Sequence, residues 1–292
     1  MNAIEHAVTQ PSPPFEACDG RAIVHQVPVW KDNLVWLLVC ARTGEAAIVD
    51  GPEAGPVLDY CAAHDLRPTT ILNTHTHHDH IGINRDLARR GTLSDYRVVG
   101  PARAAKDVPG LTEPVDEGDT VSVGDLTLRV LRTEGHIDGH ISYLTGDLLF
   151  CGDTLFAGGC GYLFDGPPAK MHDSLTRLAA LPAETKVCCA HEYTEDNLQF
   201  AWSVDSQNEA LADRIRHVRA LRAEGKCTLP STIGLERSTN PFLRVGTAAV
   251  KAAVAAAWPD RALEDEAAVF AAARALKDRK DYKSLPAGAL PS

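Results

Sequence analysis

The chain has 292 residues, of which 45% are hydrophobic and 23% are charged. This length and composition predict a globular protein with a substantial core, built as one large domain or two. The formal net charge of −10 argues against a nucleic-acid-binding surface, which would carry a basic patch. The sequence shows no long uncharged apolar run that would span a membrane, and residues 1–20 lack the basic and apolar regions of a secretory signal.

The eight cysteines are scattered along the chain and form no CxxC pair. Several of them (Cys40, Cys151, Cys188 and Cys189) stand in apolar, strand-like runs. This pattern predicts reduced, buried thiols in a cytoplasmic protein rather than a disulfide framework. We expect residues 1–20 to form a poorly ordered arm ahead of the fold or to pack against a partner subunit.

In chain order, the first two thirds of the sequence alternate short apolar runs with turn residues, a pattern typical of strands. The predicted strands are 23–29, 34–40, 46–50, 69–73, 97–100, 120–123, 126–131, 147–151 and 186–189. Two segments with helical spacing, 56–64 and 86–90, lie between them. Together these elements predict an α/β domain.

After residue 192 the pattern becomes helical, with few strand-forming residues. The predicted helices lie within 195–224, 248–257 and 265–277, and 225–243 is a proline-containing connector. The predicted division is an N-terminal arm (1–20), a catalytic domain (21–192) and a smaller helical, substrate-binding domain (193–292).

The most informative stretch follows the predicted strand 69–73. Four candidate metal ligands, His75, His77, Asp79 and His80, fall within six residues there. A loop at a strand end can direct alternate side chains to one point on a rigid scaffold. Imidazole and carboxylate ligands together suit Zn, Fe or Mn. A histidine-rich turn that only solvates the strand end is the competing interpretation, and the mixture of spacings argues against it.

Three further polar side chains stand in the same context. His136, Asp153 and His191 each follow a strand-like run. A metal centre needs ligands that converge from several strand ends, and these three residues supply them. With the loop 75–80, they make two complete metal sites possible.

Six motifs now form a recognisable pattern. They are Asn73-Thr-His-Thr-His-His-Asp-His80, Gly135-His136 through Gly139-His140, Gly152-Asp-Thr-Leu-Phe156, Gly158-Gly-Cys-Gly161, His191-Glu-Tyr-Thr194 and Asn240-Pro-Phe-Leu-Arg244. They resemble the glyoxalase II family, the hydroxyacylglutathione hydrolases, of the metallo-β-lactamase superfamily. The resemblance extends from about residue 24 to the C-terminus and leaves out only the N-terminal arm.

The resemblance implies an α/β fold, an αββα metallo-β-lactamase sandwich followed by a smaller all-α C-terminal domain. It also implies two divalent metal ions (Zn, Fe or Mn, or a mixture). By position, His75, His77 and His136 would hold one ion, Asp79, His80 and His191 would hold the second, and Asp153 would bridge both.

The implied reaction belongs to methylglyoxal detoxification. S-D-lactoylglutathione and water would give glutathione and D-lactate by attack of a metal-bridging hydroxide, which Asp79 and Asp153 would orient. Two metals that share a water lower its pKa towards ~7, which agrees with this division of ligands. Asp50 and Thr74 are predicted to support the ligands from behind. For His78 and His140 we favour supporting or packing roles over ligation.

The substrate side departs from the family pattern. The family usually carries Lys or Arg after Gly-Cys-Gly as a contact to the glycyl carboxylate of glutathione, and this chain has Tyr162. Phe164 stands where an aromatic hydroxyl is common. Tyr193 and Arg244 match substrate-contacting positions, and Lys251 is the candidate for a second basic residue expected after Arg244. The reaction class is retained, whereas the thiol carrier is either glutathione or another thiol.

The expected partner is a small-molecule thioester, a glutathione conjugate. We expect the protein to bind neither nucleic acid nor membrane and to be a monomer or weak dimer. A persulfide dioxygenase of the same superfamily would use a single Fe and O₂, and the complete second ligand set favours hydrolysis instead. The acidic balance argues against the RNA-processing members. The helical domain argues against a β-lactamase, and the intact ligand positions argue against a non-catalytic regulator.

Overall fold

The computed structural model describes residues 6–286 and 288–291. The strands in these ranges are β1 (Phe15–Ala17), β2 (Ala22–Val29), β3 (Asn33–Cys40), β4 (Ala46–Val49), β5 (Pro68–Leu72), β6 (Arg97–Pro101), β7 (Glu113–Val115), β8 (Thr120–Val123), β9 (Leu126–Arg132), β10 (Ile141–Thr145), β11 (Leu148–Gly152), β12 (Leu155–Phe156), β13 (Gly159–Cys160), β14 (Lys186–Cys189) and β15 (Ser231–Thr232). The α-helices are α1 (Ala54–Ala63), α2 (Gly82–Arg90), α3 (Pro168–Ala179), α4 (Thr194–Val204), α5 (Glu209–Ala223), α6 (Ile233–Thr239), α7 (Ala248–Ala257) and α8 (Glu266–Arg279).

Two sheets make up the centre of the molecule. Within the described residues, the first sheet has the order β1-β2-β3-β4-β5-β6-β7 and the second has the order β15-β14-β11-β10-β9-β8. The first is antiparallel up to β4 and parallel from β4 to β7, so β4 and β5 end at the same edge. In the second sheet β11 and β14 run parallel and also share an edge. Polar residues that follow these four strands can therefore meet.

The two sheets pack face to face, with helices outside. Trp36 and Leu38 of β3 point into the core shared with the second sheet, whereas Val35 and Leu37 point into the core under α1 and α2. All four side chains are almost fully buried, as expected of a strand covered on both faces. Helix α3 packs on the outer side of the second sheet through apolar residues of the shared core. The predicted αββα sandwich with a helical C-terminal region is confirmed.

The N-terminal segment differs from its prediction. Residues 1–5 lie outside the described part of the chain, but Phe15–Ala17 forms β1 and pairs with β2. Val8 is only 3% exposed. The expectation of a poorly ordered arm is therefore wrong for residues 6–20, because backbone pairing and burial hold them against the fold.

The predicted connector 225–243 also has structure of its own. It contains helix α6 and the short strand β15, and β15 pairs antiparallel with β14 of the second sheet. The helical part of the chain thus contributes an edge strand to the sandwich. No helix in the described part of the chain is long and apolar enough to cross a bilayer.

A buried ion pair joins the helices to the hairpin β12–β13. Glu236 of α6 is fully buried, and its carboxylate accepts hydrogen bonds from Arg214 of α5 and from the Gly158 backbone N–H at 2.8 Å. Asn240 donates to the Phe156 and Gly159 carbonyls at 3.2 and 2.9 Å. Together with Ser231 and Thr239, these groups form one buried hydrogen-bond network that holds the hairpin against the helices.

We predict that Glu236→Ala lowers the free energy of unfolding by about 3–5 kcal/mol, since it leaves the Arg214 guanidinium buried and unpaired. Urea denaturation followed by circular dichroism measures the change. The control is Glu209→Ala, at an exposed glutamate in the first turn of α5, for which we expect about 0.5 kcal/mol or less. Equal effects of the two substitutions would contradict the role of Glu236 in holding the hairpin against the helices.

Candidate metal centre

The histidine-rich loop is held closed at its first residue. Asn73, directly after β5, donates through its side chain to the His80 carbonyl at 3.0 Å, and its own carbonyl accepts from the Tyr143 hydroxyl at 2.9 Å. Gly152 at the end of β11 approaches the loop closely, and a Cβ there would lie 2.3 Å from Thr74 Oγ1. Its φ of +47° also belongs to the left-handed region that favours glycine. Because Gly152 has no side chain, the end of β11 can approach the loop that follows β5.

The first group of ligand atoms comes from three histidines. His77 Nδ1 lies 3.1 Å from His75 Nε2 and 2.9 Å from His136 Nε2. The other nitrogens of two rings are engaged: His136 Nδ1 donates to the Tyr162 carbonyl at 2.7 Å, and His75 Nδ1 donates to Thr74 Oγ1 at 3.0 Å. These bonds fix the tautomers, so the lone pairs of His75 Nε2 and His136 Nε2 face the same point.

The second group consists of Asp79, His80 and His191. Asp79 Oδ2 lies 3.3 Å from His191 Nε2 and 3.7 Å from His80 Nε2. Both rings are again oriented from behind, because His80 Nδ1 donates to Asp50 at 2.9 Å and His191 Nδ1 donates to Asp32 at 2.9 Å. The Nε2 atoms of both histidines therefore face the carboxylate.

Asp153 stands between the two groups. Its Oδ2 is 3.4 Å from His136 Nε2, and its Oδ1 is 3.4 Å from His80 Nε2 and 3.5 Å from His191 Nε2. Asp153 Oδ1 and His80 Nε2 are both buried and have no hydrogen-bond partner among the described residues. Buried polar atoms without partners are rare and call for an explanation. A divalent metal ion on each side of Asp153 supplies one, since imidazole and carboxylate are its usual ligands.

The charges within the two groups differ. Burial lowers the pKa of His75 well below its usual range and also lowers the pKa of His77 and His136, so these rings are neutral. In the second group burial opposes ionisation of the histidines, but Asp153, Asp32 and Asp79 together outweigh it and raise the pKa of His191 to about 9. Burial likewise opposes ionisation of Asp153, yet His191 and His80 hold its pKa below the usual range. The carboxylate is therefore ionised and available as a ligand.

Asp50 and Thr74, the two residues predicted to support the ligands from behind, contact His80 and His75. Asp50, at the end of β4, accepts from the Thr74 backbone N–H at 2.8 Å and from the Thr74 hydroxyl at 2.7 Å. Asp50, His75 and His80 can also be grouped as three potential ligands. However, the hydrogen bonds to Thr74 and His80 already occupy both Asp50 oxygens. Asp50 thus lies behind the ligands, on the far side from Asp153.

His140 and His78 also lie near the centre. His140 is fully buried, and its Nε2 accepts from the Asp153 backbone N–H at 3.2 Å, so this ring holds the strand end that carries Asp153. His78 is largely exposed and contacts the Trp30 ring, with ring centroids 5.8 Å apart. Both nitrogens of His140 are engaged by Thr133, Thr154 and the Asp153 backbone, whereas His78 Nδ1 lies 3.7 Å from Asp79 Oδ1 at the exposed side of the second group.

Sequence reasoning missed Asp32 and Asn33. Asp32 accepts from His191, and Asn33 donates to Asp79 Oδ2 at 3.1 Å. Asp32 ends the turn between β2 and β3, and Asn33 is the first residue of β3; the sequence signal at both residues was only a polar turn. The contacts join residues far apart in the chain, so local pattern did not reveal them.

A cavity of about 450 Å³ opens beside the ligands and is bordered by Tyr162, Phe164 and Tyr193. These three aromatic side chains are 52%, 60% and 37% exposed. Phe164 contacts the His77 ring, with centroids 5.0 Å apart, and Tyr193 stacks on the His191 ring at 4.7 Å. The three aromatic residues predicted to contact substrate therefore lie at the ligand groups.

A second cavity of about 330 Å³ adjoins the first and shares Phe156, Tyr162 and Tyr193 with it. Arg274 and Lys277 of α8 line this second cavity. Lys277 is buried, and burial together with Arg274 lowers its pKa to about 7. These cations were not singled out from the sequence, because α8 showed only an alanine-rich helical pattern there.

The two basic residues that were singled out lie elsewhere. Arg244 forms an ion pair with the buried carboxylate of Asp205 at 2.9 Å, and Lys251 is exposed on α7. Within the described residues, neither lines the two cavities beside the ligand groups. The substrate contacts of Arg244 and Lys251 therefore stay a prediction, and Arg274, which pairs with Asp278 at 2.6 Å, and Lys277 are further cations beside the ligand groups.

Comparisons with known proteins agree with this geometry. Residues 33–191 match the metallo-β-lactamase superfamily, and residues 192–280 match the hydroxyacylglutathione hydrolase C-terminus. Proteins named hydroxyacylglutathione hydrolase from Pseudomonas paraeruginosa and Gloeobacter violaceus are 46% and 45% identical over 262 residues, which cover 88% of this chain and 98% and 99% of theirs. The crystal structure of ETHE1 from Myxococcus xanthus is 27% identical with a TM-score of 0.57, covering 87% of this chain and 97% of that one.

The fold is that of the metallo-β-lactamase superfamily. The chain belongs to its hydroxyacylglutathione hydrolase family, as the sequence motifs predicted. The fold and the two ligand groups together imply binding of two divalent metal ions.

We predict that Asp153→Asn weakens metal binding at both positions by about 10–100-fold, since the amide replaces the one carboxylate that faces both groups. Elemental analysis and competition with a chromophoric chelator measure the change. Asp125→Asn, at a partly exposed carboxylate paired with Arg42, is the control and should bind metal like the unaltered protein. Weakening at a single position would contradict the bridging role.

Proposed function

We propose that the chain is a binuclear-metal thioester hydrolase that converts S-D-lactoylglutathione and water to glutathione and D-lactate. The observation that carries the proposal is the position of Asp153, whose two oxygens face separate groups of ligands. The proposed metal ligands are His75, His77, Asp79, His80, His136, Asp153 and His191. We further propose Zn, Fe or Mn, or a mixture, as the metals, and a boundary between the catalytic and helical domains near residue 192, with β1 and β15 as additional strands of the catalytic sandwich.

When bound, the metals would supply an activated water near neutral pH and would polarise the thioester carbonyl. The protein's own groups do the rest. Asp79 and Asp153 would orient the water, because both carboxylates are ionised, Asp79 within the second group and Asp153 between the two groups. A thiolate leaves readily, so this scheme requires no strong general acid.

Tyr193 is proposed to hold the thiol part of the substrate. Burial and the nearby Asp32 carboxylate raise the pKa of Tyr193 above its usual range, so its hydroxyl stays protonated as a hydrogen-bond donor. Its ring lies against His191, which fixes it beside the ligands. A hydroxyl donor beside the ligands suits a contact to the thiol part of the substrate.

Arg274 and Lys277 are proposed to attract the carboxylates of glutathione. The chain carries a net charge of −10, so an anionic substrate needs local cations to offset the overall field. The cavity lined by Arg274 and Lys277 adjoins the ligand groups. This placement supports a carboxylate-bearing thiol carrier even though Tyr162 and Phe164 replace the polar groups usual in the family.

A thioester of another thiol is the second candidate, and the exposed aromatic pair Tyr162 and Phe164 favours it, since these side chains suit a less polar carrier. A persulfide dioxygenase is less favoured, because the Asp79, His80 and His191 group is complete. We also propose a cytoplasmic location, supported by eight buried free cysteines. We retain the expectation of a monomer or weak dimer that binds neither nucleic acid nor membrane.

The proposed reaction is tested by steady-state kinetics on purified protein with its metals counted. S-D-lactoylglutathione is compared with lactoyl-coenzyme A and a simple acyl thioester. We expect efficient turnover of the glutathione thioester and its loss after chelation, with recovery when metal is restored. Faster turnover of another thioester would overturn the glutathione assignment and leave the hydrolase.

The pKa of Lys277 predicts a pH dependence of substrate binding. A carboxylate prefers the charged ammonium, and above a pKa of about 7 the free protein holds Lys277 neutral. KM for the glutathione thioester should therefore rise as pH increases, by about tenfold between about pH 7 and 8.5, while kcat changes less. Lys277→Met should raise KM and flatten this profile. Lys283→Met, at an exposed cation of the same cavity, is the control and should keep the rise.

A further inference from the structure

The turn between β2 and β3, together with Asn33 at the start of β3, contacts two of the three residues proposed to hold the second metal. Asp32 Oδ1 accepts the Nδ1–H of His191 at 2.9 Å, and Asn33 Nδ2 donates to Asp79 Oδ2 at 3.1 Å. The first contact directs His191 Nε2 at the metal position, because it fixes the tautomer and the ring plane. The second occupies a lone pair of Asp79 and thereby sets the direction of its carboxylate.

The backbone of this turn is itself paired with the segment that carries His191. The Glu192 N–H donates to the Asp32 carbonyl at 3.0 Å, and the Leu34 N–H donates to the Ala190 carbonyl at 2.7 Å. The side-chain contact and the backbone contacts therefore join the same two pieces of chain. A shift of the turn would move His191 as well.

The N-terminal segment holds the turn from its other side. His6 Nε2 donates to the Asn33 carbonyl at 2.9 Å, and the Ala7 N–H donates to the Lys31 carbonyl at 2.7 Å. The Val8 N–H donates to His6 Nδ1 at 2.7 Å, which leaves the proton on Nε2 for the bond to Asn33. The two bonds of His6 are partly buried, so they compete less with water than exposed bonds do.

The same segment continues to the helical part of the chain. The Thr9 N–H donates to the Gly225 carbonyl at 3.0 Å, the Cys227 N–H donates to the Gln10 carbonyl at 3.1 Å, and Arg222 donates to the Ala7 carbonyl. Residues 6–10 thus span from the end of α5 to the β2–β3 turn.

We propose that Asp32 and Asn33 are positioning residues of the second metal position and that His6 holds their turn in place. The inference rests on the two-metal assignment of the proposed function. It predicts a selective effect, because the first group is oriented by other partners: Thr74 holds His75, and the Tyr162 carbonyl holds His136. Loss of the turn contacts should weaken the second metal and spare the first.

The first test is metal binding by Asp32→Ala and Asp32→Asn. Metal-free protein is titrated with Zn²⁺ against a chromophoric chelator, and a His191→Ala reference identifies the second binding phase. We expect Asp32→Ala to weaken the second phase by about 10–100-fold and to leave the first unchanged. Asp32→Asn should recover most of the loss, since an amide oxygen still accepts the Nδ1–H of His191.

The matched control is Asp107→Asn, at an exposed aspartate that ends a short 3₁₀ turn, and it should titrate like the unaltered protein. Thermal unfolding of each metal-free variant reports any general loss of stability. Equal weakening of both phases in Asp32→Ala, or no weakening of the second, would overturn the inference.

The second test asks whether His6 acts through the turn. His6→Ala should weaken the second phase several-fold in the unaltered protein and much less in the Asp32→Ala background, because residues that act through one another show non-additive effects. His217→Ala, at an exposed histidine of α5, is the control. The same factor in both backgrounds would overturn the role of His6.

Because the tests measure metal binding and not hydrolysis, the positioning role and the proposed reaction can fail independently. Protein that binds two metals and responds to Asp32→Ala but hydrolyses no thioester would overturn the proposed function and leave the positioning role. Protein that hydrolyses thioesters, but whose Asp32→Ala variant keeps an unchanged second metal phase, would overturn the positioning role and leave the proposed function.

Discussion

The centre depends on one buried carboxylate that faces imidazoles on two sides. Asp153 lies where β11 ends, within 3.5 Å of the Nε2 atoms of His80, His136 and His191. A charge in such a place is tolerated only if cations or metal ions balance it. The close approach of the strand ends, including Gly152 against Thr74, serves to bring those partners around it.

The orientation of the ligands is distributed over the whole fold. His75 and His80 depend on Thr74 and Asp50 from the first sheet. His136 depends on the Tyr162 carbonyl, which follows the hairpin that Glu236 and Asn240 clamp to the helices. The helical region therefore acts on the centre through backbone position as well as through the cavity it lines.

The cations beside the metal centre are opposite in sign to the net charge of the chain. The acidic chain places Arg274 and Lys277 next to the cavity beside the ligands, and Lys277 is buried at the expense of its own charged form. A buried cation that lacks a full counter-charge favours an anionic ligand, because the ligand restores the missing balance. The aromatic rim formed by Tyr162 and Phe164 adds apolar contact at the same entrance. Both features belong to one continuous surface from α8 to the histidines.

The sequence by itself determined an α/β domain and the candidate ligands, because strand periodicity and the spacing of histidines in loops are local properties. Its motifs determined the family by resemblance, and the resemblance implied the sandwich. It did not reveal β1, β15 or the order of residues 6–20, since short edge strands form only where a neighbour already stands. Nor did it find Asp32 and Asn33, whose partners His191 and Asp79 lie 159 and 46 residues away. For the same reason it did not single out Arg274 and Lys277. Only the packing of α8 decided that these cations line the cavity, because which charges meet depends on distance in space and not on distance along the chain.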